Sequence, residues 1–173
     1  SARTVTNGKK KNKQLLCDQF GLDVSKPLIV FIGRLVGEKA ADVLPDSIMS
    51  CLYTMKDACC FLILGSGESQ VEWQLQQMNH QFGNNYHAVI GYNEALSHTM
   101  YAGADFLLMP SRVEPCGLNQ LYALRYGTIP MVRSTGGLQD TVKDMGENEG
   151  FGIRFNNASV KDIYDSVERA IEV

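Results

Sequence analysis

The passage DFLLMPSRVEPCGLNQLYALRYGTIPMV, residues 105–132, contains a complete strand–helix–strand unit. DFLLMP (105–110) and IPMV (129–132) are short continuous apolar runs, the pattern of strands covered on both faces. GLNQLYALRYG (117–127) between them reads as a helix, and Pro115 suits a position just before a helix start. The joining loop carries Arg112 and Glu114. The same rhythm extends outward in both directions. Further strands are predicted at 28–33, 59–65, 86–91 and 151–155, and further helices at 13–20, 41–53, 68–82, 94–104 and 159–172. The fold class is therefore α/β, an open parallel sheet with right-handed crossovers. Pro45 falls in the first turn or two of its helix, where it bends or restarts the chain.

At 173 residues the chain can bury one sizeable core. A 45% hydrophobic and 20% charged composition is that of an ordinary globular domain. The formal net charge of −3 gives no reason to expect nucleic acid or a membrane as partner. The one basic cluster, KKKNK (9–13), reads as a solvated helix start. Cys17, Cys51, Cys59, Cys60 and Cys116 show no paired spacing, which favours a reducing, cytoplasmic location over disulfides or zinc. LIVFI and CCFLIL are too short to cross a bilayer. No signal-peptide pattern opens the chain, and SARTVTNGKKK reads as the edge of an excised segment. Residues 1–26 are read as a lead-in and first helix, and 27–173 as the domain proper.

In such a sheet, function sits in loops just past the strand C-termini. GRLVGEK (33–39) offers Arg34 and Lys39, two cations suited to a diphosphate. The plainer alternative is a solvated loop whose cations pair with Glu38 and Asp42. GSGES (65–69) can free N–H groups for phosphate but lacks the third glycine of a dinucleotide fingerprint, so a tight turn is favoured. Tyr92, directly after Gly91, can cover a planar base or simply lid the core. His98 reads as structural, and no histidine spacing suggests a metal. Glu114 precedes Pro115 and is held extended. Cys116, Gly117 and Leu118 follow as first-turn N–H donors. Glu114 then faces sugar hydroxyls or developing positive charge, or else caps the helix or pairs with Arg112. STGGLQD (134–140) adds a second donor turn through Thr135, Gly136 and Gly137. No P-loop and no nucleophile elbow is present. Cations, glycine-rich helix starts, an aromatic and a carboxylate together suit a nucleoside diphosphate joined to a polyhydroxylated group.

FIGRLVGEK, the run GYNEALSHTMYAGADFLLMPSRVEPCGLNQLYALRYGTIPMVRSTGGLQDTV and the closing GFGIRF resemble bacterial and plant glycogen (starch) synthases. The resemblance covers nearly all of residues 27–173. It implies a three-layer Rossmann-like domain, the C-terminal, nucleotide-sugar-binding half of a two-domain glycosyltransferase B-type fold. It implies transfer of glucose with retention from ADP-glucose, or UDP-glucose, to the 4-hydroxyl of an α-1,4-glucan acceptor, with no cofactor and no metal. Arg34 and Lys39 would grip the donor diphosphate. Glu114 would be the cleft carboxylate near the glucose, and the backbone of Cys116, Gly117 and Leu118 its cradle. Tyr92 would pack on adenine, and Thr135, Gly136 and Gly137 would form the distal phosphate turn. The partnering N-terminal domain is absent, so the isolated chain is expected to transfer negligible glucose. A non-catalytic nucleotide- or glucan-binding module of the same fold and another nucleotide-sugar transferase are the alternatives; an NAD-dependent oxidoreductase is disfavoured.

Three positions depart from the family pattern. Lys39-Ala40-Ala41-Asp42 stands where members carry lysine-glycine-x-aspartate; ordinary helix-start geometry is expected at Ala40. Tyr122 occupies a place where many other transferases of this architecture carry a ribose-gripping glutamate; it agrees with the glycogen-synthase branch but leaves ribose recognition unassigned. KDMGENEG (143–150) is shorter than the matching loop of some relatives.

Overall fold

A computed structural model describes residues 2–112, 119–134 and 152–173. Six strands are present among them: β1 (Leu28–Ile32), β2 (Cys60–Gly65), β3 (Tyr86–Ile90), β4 (Phe106–Met109), β5 (Ile129–Arg133) and β6 (Ile153–Phe155). They form one sheet in the order β3-β2-β1-β4-β5-β6, with every pairing parallel. The helices are α1 (Ala2–Phe20), α2 (Leu44–Met55), α3 (Ser69–Gln77), α4 (Glu94–Gly103), α5 (Asn119–Arg125) and α6 (Val160–Ile171). No helix among the described residues is long and apolar enough to cross a membrane.

Strand alternation divides the core into two layers. Ile29, Phe31, Phe61 and Ile63 point to one face, where they meet Leu44 and Ile48 of α2, Val71 and Leu75 of α3, and Ile163 and Val167 of α6. Leu28, Val30, Leu62 and Leu107 point to the other, against Leu16 and Cys17 of α1, Leu96 and Met100 of α4, and Ala123 of α5. With both faces covered, the central strands β1, β2 and β4 must read as unbroken apolar runs, as they do, whereas the edge strands β3 and β6 admit His87 and Arg154.

Pro45 lies in the first turn of α2, where its missing N–H costs no helical hydrogen bond. The larger difference from expectation is α1, which begins at Ala2 rather than near residue 13. Lys10 and Lys11 are exposed, but Lys9 and Lys13 are not part of a solvated start. Lys9 Nζ donates to Thr128 Oγ1 at 2.7 Å, with the Ala102 and Tyr126 carbonyls at 3.4 Å. Lys13 Nζ meets Asp105 Oδ2 at 2.8 Å and donates to the Lys26 carbonyl at 2.7 Å. Asp105 Oδ2 also accepts from the Leu28 N–H at 2.8 Å, tying the start of β1 to the start of β4. The helix comes this close because Gly103 of α4 has no side chain: a Cβ there would lie 2.8 Å from backbone atoms of Asn12 and Lys13. Tertiary contacts, not local propensity, extend α1.

The strand order reverses between β1 and β4. Successive crossovers step from β1 outward to β3, then return to the opposite side of β1. The loops after β1 and β4 therefore flank the crevice where ligands bind in such sheets.

Candidate functional site

The β1 loop is anchored along its length. Leu35 is fully buried; its N–H donates to the Ser66 carbonyl at 2.8 Å and its own carbonyl accepts from Glu68 N at 2.9 Å. This close approach explains the GSG sequence after β2. A Cβ on Gly65 would collide with the Gly33 carbonyl, and one on Gly67 would sit 2.5 Å from the Leu35 oxygen. The Gly67 N–H is already taken by Glu72 Oε2 at 2.8 Å, so the turn packs against the neighbouring loop instead of presenting that donor to phosphate.

Beyond Gly37 the loop makes two short 3₁₀ turns, and Ala40 between them is left-handed at φ 58°, ψ 29°. The ordinary helix-start geometry expected there is not what forms. The chain reverses hand at Ala40 so that Ala41 and Leu44 enter the core, and Ala40 itself is wholly buried. A non-glycine residue in this region carries a steric cost of about 1–2 kcal/mol.

Across the crevice, the β4 loop is joined to the β1 loop by Arg112. Its backbone N–H donates to the Glu38 carbonyl at 2.8 Å, and Nη1 donates to the Gly37 carbonyl at 2.9 Å. The guanidinium forks onto both carboxylate oxygens of Asp42, with Nη2–Oδ2 at 3.0 Å. These hydrogen bonds hold the Asp42 pKa below the usual carboxylate value. Arg133 at the end of β5 completes the frame, donating from Nε to the Ser111 carbonyl at 2.9 Å and from Nη2 to the Arg112 carbonyl at 2.6 Å. Arg112 is thus committed to Asp42, and Asp42 in turn is not the partner of Arg34 or Lys39. Among the described residues, Arg34 pairs with Glu38 at 3.8 Å, in an exposed pair.

A cavity of about 410 Å³ opens above the C-terminal ends of β1, β2 and β3. Ile32, Gly33, Leu64 and Gly65 lie beneath it, with Arg34 at the β1 end. At the β3 end, Gly91 (φ 138°) makes a turn that a side chain would resist, and Tyr92 is left 83% exposed. Glu94, Ser97, His98 and Tyr101 line it from one face of α4, and Asn119 and Tyr122 from α5. Asn93 caps α4, its side chain accepting from Leu96 N at 3.0 Å, and this fixes the orientation of that face. The Tyr101 and Tyr122 rings lie 6.0 Å apart between the two helices.

The structure thus brings Arg34 and Tyr92 to the same cavity. Lys39, at the end of the first 3₁₀ turn, is not among its walls. Glu114, Cys116, Gly117, Leu118, Thr135, Gly136 and Gly137 lie outside the described residues. His98, expected to be structural, is instead an exposed residue of the cavity wall, 3.8 Å from Glu94. The α4 face was missed in the sequence, although 94, 97, 98 and 101 are spaced as helical neighbours; knowing which face of α4 met the site required the fold. No cluster of metal-binding side chains occurs among the described residues.

The pattern of the family described as "Glycosyl transferases group 1" matches residues 12–172. The chain belongs to that family. Within it, the chain is 55% identical over 166 residues to a glycogen synthase of Flavobacterium johnsoniae, covering 96% of this chain and 35% of that protein. It is 43% identical over 173 residues to soluble starch synthase 1 of Solanum tuberosum, covering 95% of this chain and 26% of that protein. Among solved structures, the catalytic domain of starch synthase IV from Arabidopsis thaliana, bound to ADP and acarbose, superposes with a TM-score of 0.81. That match is 35% identical and covers 95% of this chain and 35% of the other. The chain spans about a third of the length of the glycogen synthases it matches. This member of the family has the Rossmann-like parallel sheet expected of one half of a two-domain transferase.

Proposed function

We propose that this chain is the nucleotide-sugar-binding half of a glycogen or starch synthase. In this reading the whole enzyme transfers glucose, with retention, from ADP-glucose or UDP-glucose to the 4-hydroxyl of an α-1,4-glucan. The observation that carries it is the cavity at the strand ends, which has a guanidinium at one end and an exposed tyrosine at the other, in a chain with these relatives. Arg34 and Lys39 neutralise the diphosphate as it leaves with the electron pair of the glycosidic bond, so their attraction strengthens as charge develops. Tyr92 stacks on the base. Glu114 orients glucose hydroxyls and offsets oxocarbenium character. The N–H groups of Cys116, Gly117 and Leu118, with Thr135, Gly136 and Gly137, cradle sugar and phosphate. The glucan acceptor is held by the rest of the enzyme, in a facing N-terminal domain, and the enzyme works in the cytoplasm. No cofactor enters this reading.

Calorimetry with ADP, UDP, ADP-glucose and UDP-glucose tests it. One nucleotide series should bind, and Arg34→Ala should weaken it by about tenfold or more. In the full-length enzyme, Glu114→Gln should remove most glucosyl transfer while leaving nucleotide affinity near that of the parent. Binding of neither series would overturn the assignment.

A further inference from the structure

Among the described residues, the charged side chains of the cavity are separated into two poles. Arg34 stands at the β1 end, and Glu94 supplies a carboxylate at the β3 end. The two strands are separated by β2 alone, so the strand ends that lead to the poles stand roughly two interstrand spacings apart, about 10 Å. An anion seated at Arg34 cannot also sit on Glu94, because a carboxylate repels phosphate and can only accept hydrogen bonds. Whatever occupies the Glu94 end must therefore bring donors.

Among the described residues, the Glu94 carboxylate meets only His98, at 3.8 Å, longer than a hydrogen bond. Both its oxygens remain able to accept. Its position is nonetheless fixed, since it occupies the first turn of a helix whose start is capped by Asn93. Ser97 does not compete for the carboxylate, because its hydroxyl donates to the Glu94 main-chain carbonyl at 2.7 Å. Tyr92, two residues before Glu94, projects beside it as an aromatic surface. A base stacked on Tyr92 and a diphosphate at Arg34 leave the pentose between them.

We infer that the Glu94 carboxylate holds the ribose of the bound nucleotide, its two oxygens accepting from the vicinal 2′- and 3′-hydroxyls. This rests on the nucleotide reading of the cavity proposed above and adds to it a residue that sets the sugar's identity. Two adjacent donors and two acceptor oxygens make a paired contact that a single hydroxyl cannot reproduce. The analogue lacking those hydroxyls forfeits both charge-assisted hydrogen bonds and binds more weakly.

The test is calorimetry of the protein and its Glu94→Ala variant with ADP and 2′,3′-dideoxy-ADP, run in parallel with UDP and 2′,3′-dideoxy-UDP. The parent should bind the ribose form about tenfold or more tighter than the dideoxy form, the scale of a charge-assisted hydrogen bond. Glu94→Ala should lose that preference, binding both forms with the parent's dideoxy affinity. Glu94 is exposed, so circular dichroism of the variant should match the parent. Equal loss of affinity for both forms, or an undiminished preference for ribose, would overturn the inference while leaving the nucleotide site standing. Failure of the parent to bind either ADP or UDP would overturn the nucleotide reading and the inference with it.

Discussion

Replacing Lys9 with methionine should change how stability responds to alkaline pH. The ammonium is lodged beneath the sheet, on Thr128 Oγ1 at 2.7 Å and near two main-chain carbonyls. Burial pushes its pKa down to about 8; Asp105 opposes that shift and Lys13 adds to it. An unfolded lysine titrates near ~10.4. At pH 7 both states carry the proton, and the native state bears the cost of the buried charge. Between about pH 8 and ~10.4 the unfolded chain binds more protons than the native one, so this group's contribution to stability rises with pH. Full linkage over that window gives about 1.4 kcal/mol by pH 9, and the partial exposure of the side chain reduces it to between about 0.5 and 1 kcal/mol. Buried thiols work in the opposite direction. Burial pushes Cys17 up to about 11 and Cys51 up to about 12, so each costs stability once the unfolded thiols ionise. The parent curve alone therefore does not isolate Lys9; the difference between parent and Lys9→Met does. Urea denaturation of both proteins at pH 7.5 and pH 9.0 should show the gap moving towards the parent by that amount. A gap that stays constant, or moves towards the variant, would refute the account of Lys9.

Three further outcomes are expected. Gly103→Ala should destabilise by about 1–3 kcal/mol, as overpacked contacts do, lowering Tm by several degrees. Gly8→Ala, in α1 with nothing within 4 Å of the added methyl, should hold or raise Tm. At position 40, thermal stability should run Gly at or above Ala, and Ala above Val by about 1 kcal/mol or more, since branching at Cβ is least compatible with the left-handed region; a valine variant as stable as the parent would contradict the observed backbone. Asp42→Asn should remove a contribution of at most about 1 kcal/mol, because the pair is partly exposed. That contribution is present above the unfolded carboxylate pKa and lost as pH falls, so parent and variant should converge in acid melts.

The strands were legible because the central ones are buried on both faces, and β1 to β5 fall within two residues of their apolar runs. The start of α1 was not, because Thr6 to Lys13 show no apolar period and the helix there is held by Gly103, Thr128 and Asp105 from distant parts of the chain. Ala40 misled for a related reason. Alanine favours right-handed helix, and only the burial of Ala41 and Leu44 forces the opposite hand. Arg34 and Tyr92 could be placed at the cavity because they lie just past strand ends. Glu94 and His98 could not, since their relevance depends on which side of α4 turns towards the cavity.

Arg112 spends its donors on the main chain and the carboxylate of a different loop, and Arg133 holds the carbonyl of Arg112 from a third strand. Lengthening or shortening the β1 loop by one residue would therefore displace the departure point of the β4 loop as well. The two segments are mechanically one part, and an engineer grafting new loops onto this scaffold would have to exchange them, with Arg133, as a single cassette.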